Sequence, residues 1–272
     1  MQSQCPSRPG VAEGAGYFAV PGAYLHTVLH RVADPVARVL LVGPFASERY
    51  FAYHTWVRWA RYLAARRIEV LRYDYRGIGE STGAFEEMSF DDWNEDVQLL
   101  AGWFAEQSPK VPFLLHGLEL GAILAGRVFH AGAGDALLLW TLPTDANQVL
   151  HSTLLRWSGL EQIYESPESR KTASEYIRQL EQGFPVEVQG YQWSSRLWHD
   201  SFGFSHPEEL RDENRGSEVH GKPVRLVKFG RDAHALTMPY VRFDEVKDLS
   251  PLYAENYDWI TGALALPHGE AQ

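Results

Sequence analysis

His116-Gly117-Leu118-Glu119-Leu120-Gly121 stands where an apolar run over 111–116 gives way to a helical pattern of small residues over 120–130. A strand that turns into a helix within so few residues brings the two backbones close together, and glycine is the residue that permits the tight turn and the close approach. The hexapeptide therefore reads as the turn of a β-then-α unit, with the Glu119 side chain lifted over the end of the strand. The plainer alternative is a packing turn in which the two glycines do no more than let strand and helix touch.

The same alternation extends in both directions. Upstream, Arg38-Val39-Leu40-Leu41-Val42-Gly43 is a near-continuous apolar run of the kind found in strands buried on both faces. Trp56, Trp59, Ala60 and Leu63 then recur at helical spacing within 51–67. A strand over 69–75 follows, and Ser89 with Asp92 three residues on forms a capping signal ahead of Phe90, Trp93, Val97, Leu100 and Phe104. After the hexapeptide comes a strand over 136–141. Four such units in series predict a mostly parallel central sheet with helices on both faces. Two short runs at 17–20 and 24–32, joined by Pro21-Gly22, predict an antiparallel edge pair.

The rhythm breaks at 144–204, which carries helical patterns and many aromatics, among them Trp157, Tyr164, Tyr176, Phe184, Tyr191, Trp193 and Trp198. An inserted helical lid is the simplest reading; its aromatics either line an apolar pocket or pack the lid on the body. The strand pattern resumes over 223–230, an apolar run covers 240–243, and 252–266 predicts a closing helix. The expected organisation is a core of 17–143 and 205–266, a lid of 144–204, and a polar leader of 1–16 that lacks the features of a secretion signal.

Composition narrows the function. The 272 residues are 45% hydrophobic and 22% charged, which suits a globular chain able to bury a sizeable core. No stretch reaches the ~18–20 apolar residues of a membrane span. With 35 acidic against 25 basic side chains the net charge is -10, so a nucleic-acid backbone would be repelled. The single cysteine, Cys5, forms no internal disulfide, and a bacterial-type cytoplasm is the expected compartment. The expected partner is a small molecule; a protein partner or a homodimer stays open.

Gly117 and Gly121 about a central residue have the spacing of G-x-S-x-G, the strained strand-to-helix turn that presents a nucleophile beside backbone N–H donors. Other stretches agree. Gly43-Pro44-Phe45-Ala46-Ser47-Glu48-Arg49 looks like a Pro-Phe-x-x-Glu segment, and Asp74-Tyr75-Arg76-Gly77-Ile78-Gly79-Glu80-Ser81-Thr82-Gly83 like a D-x-x-G-x-G-x-S-x-G turn. Residues 91–96, with Trp93, resemble the helix start that follows that turn, and 183–191 a further recurring segment. On these motifs, over 17–230, the chain resembles the α/β-hydrolase fold and, within it, the hydrolase-like proteins associated with exosortase systems. The resemblance implies an acid and a histidine beyond the elbow, and an oxyanion site at Phe45 and Leu120. It implies no cofactor, and it leaves the substrate open.

Here the elbow centre is Glu119 in place of serine. A carboxylate there can attack carbon in principle, but its extra length and the adjacent N–H donors favour an anion held by the turn. The head of the following helix is expected to keep it ionised. Asp232 takes the position of the acid, with His234 two residues on as the candidate base or as half of a surface pair; 247–249 fill the usual histidine position with Lys, Asp and Leu. His116 and Glu119 form an H-x-x-E pattern without a third ligand, so no metal is expected. Asp74 and Ser81 read as turn-stabilising residues. The resulting expectation is a protein with a degenerate triad that binds an acyl- or ester-like ligand. The alternatives are a hydrolase using Glu119, Asp232 and His234, and an interaction protein in a biosynthetic or secretion assembly.

Overall fold

The computed structural model describes residues 11–210, 218–229 and 248–267. Strands β1 (Val11–Val20), β2 (Ala23–Val32), β3 (Ala37–Val42), β4 (Ile68–Tyr73), β5 (Phe113–Leu118) and β6 (Ala136–Trp140) precede the segment 144–204. Within that segment lie α4 (Ala146–Tyr164), α5 (Ala173–Glu181), β7 (Val186–Val188), β8 (Tyr191–Trp193) and α6 (Ser195–Ser201). Strands β9 (Glu218–Val219) and β10 (Lys222–Val227) come next, and α7 (Ser250–Ala263) closes the described chain. The covering helices between the early strands are α1 (Glu48–Ala64), α2 (Phe90–Glu106) and α3 (Leu120–His130).

The central sheet has eight strands in the order β1-β2-β4-β3-β5-β6-β10-β9. From β4 to β10 every pairing is parallel, and antiparallel pairs close both edges. Every residue of β3, β5 and β6 is buried, as their unbroken apolar runs require of strands covered on both faces. Helices α2 and α3 pack on one face through Phe90, Trp93, Val97, Leu120 and Ile123, where residues of 146–204 join the same core. Helices α1 and α7 cover the other face through Trp56, Trp59, Leu63, Tyr253 and Ile260. A mostly parallel sheet layered between helices is thus the observed architecture.

Most expected elements stand within a few residues of their predicted bounds, and the differences have local causes. β1 begins at Val11, inside the stretch expected as leader, because its Ala- and Gly-rich start has little strand propensity and is held by backbone pairing to β2. Segment 144–204 adds no strand to the central sheet; β7 and β8 form their own two-stranded sheet. Buried Tyr176, Trp193 and Trp198 pack that segment, whereas Tyr164 and Phe184 face solvent. The apolar run at 240–243 lies outside the described residues.

The predicted cap of α2 is a complete capping box. Ser89 Oγ accepts from Asp92 N–H at 3.2 Å and Ser89 N–H donates to Asp92 Oδ2 at 2.8 Å. Ser89→Ala should therefore lower stability by about 1 kcal/mol in urea denaturation, without changing the slope.

Candidate functional site

The parallel sheet reverses its winding between β3 and β5, since β3 continues to β4 on one side and β5 to β6 on the other. Loops leaving the carboxyl ends of two such strands diverge and leave a crevice, the usual ligand position in sheets of this kind. Phe45 follows β3 and Glu119 follows β5 at this point of the sheet. Three non-glycine residues just beyond β3, β5 and β6 have positive φ: Ala46 at 37°, Glu119 at 57° and Thr141 at 54°. Such backbone conformations cost on the order of 1–3 kcal/mol each and persist only where the surroundings impose them.

The glycines flanking Glu119 show what imposes the turn. A Cβ on Gly117 would lie 2.3 Å from the Gly121 carbonyl oxygen, and one on Gly121 would lie 2.1 Å from that of Val42. Helix α3 therefore leans directly on β3 and β5, and Glu119 bridges strand and helix with its N–H donating to the Trp140 carbonyl at 3.2 Å. The sequence expectation of a strained elbow with Glu119 at its centre agrees with this geometry.

The surroundings of the Glu119 side chain differ from expectation. Its carboxyl makes no capping bond to the head of α3. Instead Oε2 accepts from Phe45 N–H at 3.4 Å, and Oε1 lies 3.5 Å from Arg156 Nη2 on α4. Arg156 is more closely held by Glu48 in the first turn of α1, whose Oε1 accepts from Nε at 3.0 Å and from Nη2 at about 2.7 Å. Glu48 is fully buried, and its Oε2 has no hydrogen-bond partner. Two carboxyl groups thus share one guanidinium that is itself only partly buried.

That crowding works against the expected charge state. Burial, and then the neighbouring Glu48 carboxylate, push the Glu119 carboxyl up to about 8, against the pull of Arg156 and the Phe45 N–H. Burial also raises Glu48, opposed by Arg156. The helix terminus that was expected to keep Glu119 ionised is outweighed, because loss of water acts on the whole charge while the terminus offers no bond to it. The Glu119 carboxyl therefore holds its proton more tightly than an ordinary carboxyl does.

The other predicted site residues separate into groups. The Phe45 ring is fully buried against Phe85, Trp93 and Trp193, at centroid distances of 6.0, 5.7 and 5.3 Å, and this packing aims its N–H at Glu119. Leu120 opens α3 with its side chain in the core, so only its backbone N–H can serve the crevice. His116 points to the opposite face, where Nδ1 accepts from Trp59 Nε1 at 3.0 Å and burial drives its pKa well down, leaving it neutral. Asp232 and His234 lie outside the described residues.

Asp74 and Ser81 hold the turn after β4, as expected. Arg49 Nη2 donates to Asp74 Oδ2 at 2.7 Å, and Ser81 Oγ donates to the Asp74 carbonyl at 2.6 Å. Among the described residues no cluster of His, Cys, Asp and Glu has a metal-binding arrangement, and no helix is long and apolar enough to cross a membrane. Sequence reasoning quoted Glu48 without giving it a role, and it passed over Arg156, which sits in an ordinary helical pattern.

Comparison with known proteins agrees with this architecture. The family described as serine aminopeptidase, S33, matches residues 23–139, which run from β2 through β6. No curated protein matches the sequence. The α/β hydrolase GrgF from Penicillium sp. sh18 is similar in structure, with a TM-score of 0.60 at 17% identity, covering 94% of this chain and 100% of that one. Est1E from Butyrivibrio proteoclasticus, solved with ferulic acid bound, gives a TM-score of 0.58 at 13% identity over 92% and 100% of the two chains. The α/β hydrolase domain-containing protein 10 from mouse gives 0.54 at 13% identity over 92% and 99%.

Proposed function

Because the chain has the α/β-hydrolase fold with a carboxyl where the elbow presents its nucleophile, we propose that it is a non-hydrolytic member of that architecture, binding a small acyl- or ester-like ligand above Glu119. The observation that carries this reading is the state of Glu119 itself. Its Oε2 takes the Phe45 N–H that would otherwise stabilise an oxyanion, and burial makes it hold a proton more tightly than an ordinary carboxyl. A protonated carboxyl is a poor nucleophile, and an occupied donor lends no help to a developing negative charge.

A ligand carbonyl is the natural competitor for that donor. When it takes the Phe45 N–H, the Glu119 hydroxyl becomes free to donate to it as well, and Arg156 keeps the Glu48 carboxylate compensated. The apolar surroundings of the elbow, Phe45 with Phe85 and Trp193, suit an acyl or aryl body. Ferulic acid in Est1E is such a group on the same fold. In this reading 144–204 covers the crevice, and no nucleic acid, membrane or cofactor takes part.

The test is turnover of p-nitrophenyl butyrate and labelling by a fluorophosphonate, alongside melting shifts with ferulate and short acyl amides. Wild type should show a melting shift and no turnover. Glu119→Ser should remain unlabelled, since a serine needs an imidazole within about 2.6–3.2 Å to lose its proton and His116, among the described residues, is turned away; labelling that His234→Ala removes would make His234 a working base. Ester hydrolysis by wild type that Glu119→Gln abolishes would replace this reading with a carboxylate-dependent hydrolase.

A further inference from the structure

Arg156 belongs to the inserted segment, whereas both of its acidic partners belong to the core. Its helix, α4, buries Val149, Leu150 and Leu154 in the same core as α2 and α3, so the guanidinium arrives at the elbow from above. There it contacts Glu48 at 3.0 and about 2.7 Å, and Glu119 and Thr153 each at 3.5 Å. The Arg156 side chain keeps 23% of its surface exposed, while that of Glu48 keeps none. The contact therefore lies at the boundary between crevice and solvent.

We propose that Arg156 is a latch: its bond to Glu48 holds α4 closed over the elbow, and release of that bond lets α4 lift and expose Glu119. The proposal rests on the reading of 144–204 as the cover of the crevice. Its physical basis is the near balance of the closed state. An ion pair taken out of water gains little net free energy, because desolvation offsets most of the attraction. Here the balance is closer still, since Glu48 Oε2 is unpartnered and a second carboxyl sits beside the pair. A contact of this kind opens with a modest change in local charge, whereas the buried Val149, Leu150 and Leu154 keep the first turns of α4 on the core, so the lifting is a movement of α4 from Arg156 onward.

Local charge is set by the groups that face Glu119 from each neighbouring element: Glu48 at the start of α1, Arg156 on α4, and the Tyr75 hydroxyl beyond β4. Glu119 prefers its proton when closed over, so losing that proton favours the state in which water reaches it. The latch is accordingly tight below neutrality and loosens as pH climbs through the Glu119 transition near 8.

Hydrogen–deuterium exchange read by peptide tests this without any ligand, so the ligand-binding reading can fail while this result stands. Arg156→Ala should speed exchange of α4 peptides about tenfold or more, with β5 and β6 peptides unchanged, and Arg156→Lys should fall between. In wild type, exchange of α4 corrected for intrinsic chemistry should rise from about pH 6 to about pH 9, and Glu119→Gln should abolish that rise. Unchanged α4 exchange in Arg156→Ala, or an equal rise in β5 and β6, overturns the proposal. Should Arg156→Ala fail to fold, the pH series of wild type and Glu119→Gln decides, a flat wild-type profile overturning it.

Discussion

Gly121→Ala should lose at least ~4 kcal/mol of stability or fail to fold, placing it at the extreme of single substitutions. The added Cβ would stand 2.1 Å from the Val42 carbonyl oxygen and 2.3 Å from that of Gly43. Both obstacles are backbone, so no side chain can rotate away. Relief requires moving the head of α3 off β3, in a region where β3 and β5 are buried along their whole length. Gly102→Ala is the matched control. It lies on the exposed side of α2 with nothing within 4 Å of the new atom, and it should be neutral or stabilising by up to ~1 kcal/mol. Chemical denaturation of the two variants beside wild type measures the contrast; similar midpoints would show that α3 is not seated on β3 as described.

The second large effect is one of pH. Glu119 is held at about 8 when folded against an ordinary value of 4.5. A raised carboxyl binds its proton more tightly in the folded state. Its contribution is therefore complete below the ordinary value and is lost as pH rises through the folded one. The loss is on the order of several kcal/mol, since each unit is worth about 1.4 kcal/mol. Glu119→Gln keeps the size and the acceptor for Phe45 N–H but cannot ionise. At about pH 5 it should match wild type within ~1 kcal/mol, and at about pH 9 it should melt roughly 5–10 °C higher. Asp96, pushed up to about 6 by burial against the pull of Arg76, titrates alike in both chains and drops out of the comparison. Parallel stability–pH curves would mean that Glu119 reaches solvent in the folded protein.

What the sequence discloses follows from range. The runs that became β3, β5 and β6 are local signals, apolar without interruption because both faces are covered, and the turn at Gly117 and Gly121 is equally local. Ser89 and Asp92 announce the start of α2 for the same reason. The charge state of Glu119 is not local. It depends on Glu48, and on Arg156, which stands 108 positions from Glu48 and 37 from Glu119. Reasoning from the helix head alone points to a lowered carboxyl where burial points to a raised one, because it weighs a favourable terminus and has no access to the water that packing removes. The β7–β8 pair is hidden differently: three residues per strand are too few for any periodicity to register.

The order of strands in the sheet also has a consequence in time. Its first six neighbours, β1-β2-β4-β3-β5-β6, all come from residues 11–140, ahead of α4 in the chain. A nascent chain emerges from its N-terminus, and such contiguous units assemble as they appear. The elbow can therefore form while Glu119 still faces water and carries its charge. Burial by α4 then raises the Glu119 carboxyl while Arg156 pulls against it, so the proton affinity of the elbow changes with the arrival of a segment made after it.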